Sequence, residues 1–216
     1  MNLNGKKVLF LGDSITEGVG VSAPDKKYTE VFKSISGADV YNYGIGGTRI
    51  ARQKTPSKEA KFDLCFLDRV EKMEADADVV VVFGGTNDFG HGDAQFGTFD
   101  SRDEFTYYGA LHSLAVRLIN RYPNAIKVFM TPLHRTNEDG LINEIGLERR
   151  KLKDYVEAMR EVCEYYSLPV LDLFKNSGLQ PAVDIIKSTY MPDGLHPCDK
   201  GALLIANRLY GFLASF

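Results

Sequence analysis

Five short apolar runs punctuate the chain: Val8–Leu11, Val40–Tyr43, Val79–Phe83, Ile126–Met130 and Val170–Leu173. Between them, apolar residues recur at helical spacing. Leu152, Tyr155, Val156, Met159, Cys163 and Tyr166 share one stripe between Glu148 and Ser167. Lys151, Lys153, Asp154, Glu157 and Glu161 take the opposite side, as on an amphipathic helix. Tyr108, Leu111, Ala115, Leu118, Ile119 and Tyr122 form a second stripe, which Pro123 stops. Ala202, Ile205, Ala206, Leu209 and Leu213 form a third. The run Val79–Phe83 is apolar at every position, which predicts a strand covered on both faces. Alternation of strands and helices predicts βαβ units and a parallel sheet between two helical layers.

Composition changes this picture little. The chain has 216 residues, 44% of them hydrophobic and 25% charged, which suits one domain spanning residues 1–216. A formal net charge of −3 offers no basic field for nucleic acid. Cys65, Cys163 and Cys198 are far apart and make neither a metal-ligand spacing nor a disulfide framework. The first residues show no basic segment followed by a long apolar one. The longest apolar run is far too short to cross a bilayer. Together these predict a cytoplasmic protein with no membrane partner. Oligomeric state is not legible here.

Candidate chemistry gathers at the ends of the strand-like runs. Val8–Leu11 stops at Gly12, and Asp13-Ser14 follows. Ser14 is then expected at the carboxyl end of a buried strand, where open α/β sheets place their ligands. Asp and Ser before a helix are also ordinary N-cap residues. A serine needs an adjacent base to act as a nucleophile, and the chain offers His91, His112, His134 and His196. His112 falls inside an amphipathic stripe and reads as structural. His91 and His134 lie in two long irregular segments, Gly84–Glu104 and Pro132–Gly146, and neither has a carboxylate in an obvious orienting register. His196 has Asp193 three residues before it, a spacing that brings a carboxylate to the ring in a tight turn. Pro192-Asp193-Gly194 is equally a common surface turn. Two segments could supply donors to an oxyanion: Tyr43-Gly44-Ile45-Gly46-Gly47-Thr48, through its backbone, and Gly84-Gly85-Thr86-Asn87-Asp88, through the Asn87 amide. Aromatic and loop residues, Phe89 and His134 among them, are candidates for the substrate pocket.

In this order the segments resemble the sequence blocks of GDSL-type esterases of the SGNH hydrolase superfamily. Gly12-Asp13-Ser14-Ile15-Thr16-Glu17-Gly18 is similar to the first block, Asn42–Gly47 to the second, Gly85-Thr86-Asn87-Asp88 to the third and Asp193-Gly194-Leu195-His196-Pro197 to the fifth. The resemblance implies a flavodoxin-like three-layer αβα sandwich with five parallel strands in the order 2-1-3-4-5. It implies Ser14 as nucleophile, His196 as base and Asp193 as its orienting group. It implies an oxyanion hole made by the Ser14 and Gly47 N–H groups and the Asn87 side chain, with Gly44 and Gly46 as alternatives to Gly47. The implied activity is hydrolysis of a small-molecule carboxylic ester, with no metal or organic cofactor. A short acyl group, such as acetyl on a carbohydrate, is the expected substrate. Lysophospholipid or thioester hydrolysis, a non-catalytic binding module and a flavodoxin-like phosphate or FMN binder are the alternatives. The G-x-S-x-G elbow of α/β-hydrolases and the dinucleotide and P-loop glycine motifs are absent.

Overall fold

The computed structural model describes residues 1–216. Its centre is a parallel sheet of β1 (Lys7–Gly12), β2 (Asp39–Gly44), β3 (Val79–Phe83), β4 (Ile126–Met130) and β5 (Val170–Leu171), in the order β2-β1-β3-β4-β5. This is the expected flavodoxin-like order. Helices α1 (Ser14–Glu17), α2 (Tyr28–Ser36), α3 (Phe66–Val70), α4 (Thr86–His91), α5 (Tyr107–Arg121), α6 (Leu152–Tyr165), α7 (Leu173–Asn176), α8 (Asp184–Tyr190) and α9 (Asp199–Ala214) connect and cover the strands.

Alternate residues of the strands face opposite layers, as a period of two requires. Leu9, Leu11, Val80, Val82 and Phe129 pack with the buried faces of α3, α5 and α6. Val8, Phe10, Val79, Val81, Val128 and Met130 pack with Tyr28 and Phe32 of α2 and with Ala202, Ile205 and Leu209 of α9. Every residue of β3 is buried. The three long amphipathic stripes become α5, α6 and α9.

The register sets the site. Gly12 pairs with Gly44 on one side and with Phe83 on the other. The chain leaves β1, β2 and β3 at one edge, and β1 lies between its two neighbours. Strand order reverses there, which opens a crevice outside the carboxyl ends. Ser14, the 44–48 loop and Gly84–Asn87 therefore meet at one place.

The fifth strand is shorter than expected, two residues rather than Val170–Leu173. Asp172 ends it: its carboxylate accepts the Lys175 N–H and pairs with Arg160 at 2.8 Å, and α7 begins at Leu173. The segment after β4 runs irregularly beyond Gly146 to Lys151. Arg149 ties it down, donating to the carbonyls of Gly140, Asn137 and Phe89. No helix is long and apolar enough to cross a membrane.

Candidate active site

Ser14 is the first residue of α1, and Asp13 caps that helix by accepting the Ile15 N–H at 3.0 Å. The cap and nucleophile readings of this segment are therefore shared between two adjacent side chains. Gly12 is required by the turn, because a Cβ there would collide with the Thr16 hydroxyl. Burial pushes the Asp13 carboxyl up to about 7, against the Ile15 N–H and the Arg69 charge.

The Ser14 hydroxyl lies 3.0 Å from His196 Nε2, and His196 Nδ1 lies 2.6 Å from Asp193 Oδ2. The other carboxylate oxygen of Asp193 accepts the N–H groups of Leu195 and His196 at 2.8 and 2.7 Å. Burial works to raise the Asp193 carboxyl. The His196 ring and those two N–H groups outweigh it and hold the group below the usual carboxylate range. An ionised carboxylate can only accept, so Nδ1 carries the imidazole proton and Nε2 is free to accept from Ser14. The turn that carries the pair is fixed twice. Gly194 N–H donates to the Met191 carbonyl at 2.7 Å, and Thr136 N–H donates to the Gly194 carbonyl at 2.9 Å.

The 44–48 loop settles which glycine N–H is available. Gly44 N–H donates to Asn42 Oδ1 and Gly46 N–H to Glu17 Oε2, both at 2.8 Å. Gly47 N–H has no acceptor in the chain. Gly47 sits at φ 77°, left-handed backbone that glycine adopts without strain. As the first residue of a helix, Ser14 has an N–H without an intrahelical acceptor. Asn87, 5% exposed, donates one amide hydrogen to the Thr48 carbonyl at 3.0 Å, which leaves its second hydrogen unclaimed. Ser14, Gly47 and Asn87 thus each keep a donor that the chain leaves unclaimed.

Several supporting residues carry no signal in the sequence. Arg69, buried, donates to the carbonyls of Gly12 and Tyr43 and to the Thr48 hydroxyl. It binds the ends of β1 and β2 to the oxyanion loop. Burial lowers its pKa to about 10. Asp88 accepts the N–H groups of Ile50 and Ala51 at 3.0 and 2.9 Å, and burial raises it to about 6. Their partners lie far along the chain, so no local spacing betrays them.

The pocket expectation for Phe89 and the carboxylate expectation for His134 need correction. Phe89 is 1% exposed and cannot line an open pocket. It packs edge-on against Tyr155, with the Arg149 guanidinium 3.5 Å from its ring centre. Its place after a glycine-rich loop misleads, because the segment coils into α4 and turns the ring inward. His134 does have an orienting carboxylate, contrary to expectation. Its Nδ1 meets Glu138 at 2.8 Å and its ring lies on Phe174, centroids 3.8 Å apart. Residues 134–138 fold back on themselves, and Arg135 N–H donates to Glu138 as well. His112 is structural as expected, with its two ring nitrogens against the Phe99 carbonyl and the Tyr166 hydroxyl. No group of three or more His, Cys, Asp and Glu side chains is placed to hold a metal ion.

A family model described as the GDSL-like lipase/acylhydrolase family matches residues 10–204. The chain belongs to that family. No curated protein matches it. This GDSL-like chain is also similar to solved structures. A protein from Lactobacillus plantarum shares 29% identity at a TM-score of 0.83, over 98% of each chain. The lipase/acylhydrolase from Enterococcus faecalis shares 22% at 0.64, over 97% of this chain and 96% of its own. The acetyl xylan esterase AlAXEase shares 21% at 0.65, over 96% and 99%. The last two speak to the fold, which is that of SGNH hydrolases.

Proposed function

We propose that this GDSL-like protein is a serine ester hydrolase that removes short acyl groups, acetyl on a carbohydrate above all. One observation carries the reading: the unbroken line Ser14–His196–Asp193, at 3.0 and 2.6 Å. Ser14 Oγ attacks the ester carbonyl carbon as its proton passes to His196 Nε2. Negative charge develops on the carbonyl oxygen, and the N–H groups of Ser14 and Gly47 and the free Asn87 hydrogen receive it. Asp193 stays ionised and stabilises the imidazolium. His196 then gives its proton to the departing alcohol oxygen as the C–O bond breaks. Water attacks the acyl-serine by the same route, its proton going to His196, and Ser14 regains its hydrogen as the acid leaves.

Preference for a short acyl group draws on the likeness to a fold that includes an acetyl xylan esterase. A long-chain reading draws on Leu141, Ile142, Ile145 and Leu147, aliphatic residues exposed on one loop. Nitrophenyl esters of rising chain length, assayed beside an acetylated xylo-oligosaccharide, decide between them. Best turnover on acetyl supports the proposal, and best turnover on long chains replaces it with a lysophospholipase-type reading. Ser14→Ala should lower turnover on the order of 10⁴–10⁶-fold and abolish fluorophosphonate labelling. A labelled, active variant would remove Ser14 from its role.

A further inference from the structure

A cleft of about 540 Å³ opens between residues 55–62 and the loop carrying Glu144, Ile145 and Leu147, with Arg49 and His91 also lining it. That volume lies within the range of small-molecule sites, about 300–1,000 Å³. It adjoins the oxyanion donors. The Phe62 ring packs so closely on Gly47 that a Cβ there would collide with it. His91 stands one helical turn after Asn87 on α4.

Its chemistry is rich in hydrogen-bonding groups. Only three of its eleven lining residues are hydrophobic. Arg49, 3% exposed, is paired with Asp63 at 2.7 Å, and its buried Nε has no partner. Its Nη1 lies 3.3 Å from His91 Nδ1. A guanidinium can only donate, so Nδ1 must accept and the His91 proton sits on Nε2, which has no partner in the chain. Burial, then the Arg49 charge, holds the His91 pKa below its ordinary value, so the ring stays neutral. Glu144 is matched by Arg135 at 2.9 Å, and Asp93 by the N–H groups of Lys54 and Thr55. Lys58 is the lining cation with no ion-pair partner, so the charges of the cleft are answered only in part. Phe62, Ile145 and Leu147 give it an apolar side, against which the face of a sugar ring can lie while its hydroxyls meet the polar groups.

We propose that this cleft holds the neutral, hydroxyl-bearing part of the substrate, a sugar ring, with His91 Nε2–H donating to a substrate hydroxyl and the Phe62 ring forming one wall. Arg49 acts as a positioning residue by fixing the His91 tautomer. The proposal deepens the carbohydrate-ester reading above and rests on it.

The test separates the two. Binding is read in Ser14→Ala, where no chemistry intervenes, by NMR of the His91 ring on adding xylobiose, octanoate or glucose 6-phosphate. Xylobiose should shift the ring resonances and the other two should not. A response to octanoate or to the phosphate in place of xylobiose overturns the proposal, as does no response to any of them. In otherwise wild-type protein, His91→Phe should lower kcat/KM for an acetylated xylo-oligosaccharide relative to nitrophenyl acetate by about five- to tenfold, the weight of one hydrogen bond. The change should reside in KM. His91→Gln, which restores a neutral N–H donor, should recover most of it. Equal loss on both esters, or no rescue by Gln, would make His91 structural. Failure of the catalytic reading would appear elsewhere, as undiminished turnover by Ser14→Ala.

Discussion

Asp13 is a side chain whose charge its surroundings strongly govern. Its folded-state pKa of about 7 stands above the ordinary carboxylate value of 3.8, because burial disfavours the charge. The folded protein therefore holds the proton more tightly than the unfolded chain does. The stability this confers is complete below about pH 4 and is lost as pH rises towards 7, a difference on the order of a few kcal/mol. Asp13→Asn keeps an acceptor for the Ile15 N–H and removes the titration. Its stability, followed by thermal unfolding from pH 4 to 8, should fall less steeply than that of the parent. Asn87→Ala removes one oxyanion donor and should cost roughly 10²–10³-fold in kcat, with KM little changed. At this scale, legibility depended on distance along the chain. Asp193 and His196 sit three residues apart, so their pairing could be anticipated. Glu17, which occupies the Gly46 N–H, acts 29 residues away, and only the fold shows that Gly47 is the free donor.

Among the elements, the turn Met191–His196 has little freedom. Gly194 adopts φ 78°, and a Cβ added there would lie 2.6 Å from Thr136 Cγ2. Gly194→Ala should displace the Asp193–His196 pair while leaving the sheet intact. Turnover should drop about 10²-fold, the usual cost of a misplacement near 1 Å, with a modest fall in melting temperature. Equal loss of fold and activity would contradict that. Short apolar runs identified all five strands, the half-exposed edge strand β2 included, and periodicity identified the long helices α5, α6 and α9, which repeat their pattern over several turns. Helices α1, α2, α3, α4, α7 and α8 escaped it. With four to nine residues each, they complete too few turns to show a clear period. The inward turn of Phe89 was lost with α4.

Across the whole molecule, two helical layers clamp one sheet, and the site occupies the edge where strand order reverses. Arg69 of α3 and Asp88 of α4 brace the loop segments beside β1 and β2, while α9 follows the segment that carries His196. Ile205, fully buried between α9 and the sheet, should cost about 2–5 kcal/mol on truncation to Ala, measurable by urea unfolding with an unchanged m-value. The fold class was readable from strand–helix alternation, since any such chain must cover both faces of its sheet. The assembly of the site was not, because it depends on strand order, which the family resemblance supplied.

The separation between Ser14 and His196, 182 residues, also has a meaning in time. At about 5–20 residues per second, a ribosome completes the base roughly 10–40 s after the serine. Throughout that interval the nascent chain displays a hydroxyl with no partner to activate it. On the proposed reading the chain gains reactivity only once His196 has been made and has docked beside Ser14. Refolded protein should accordingly regain its helical circular dichroism before it regains fluorophosphonate reactivity.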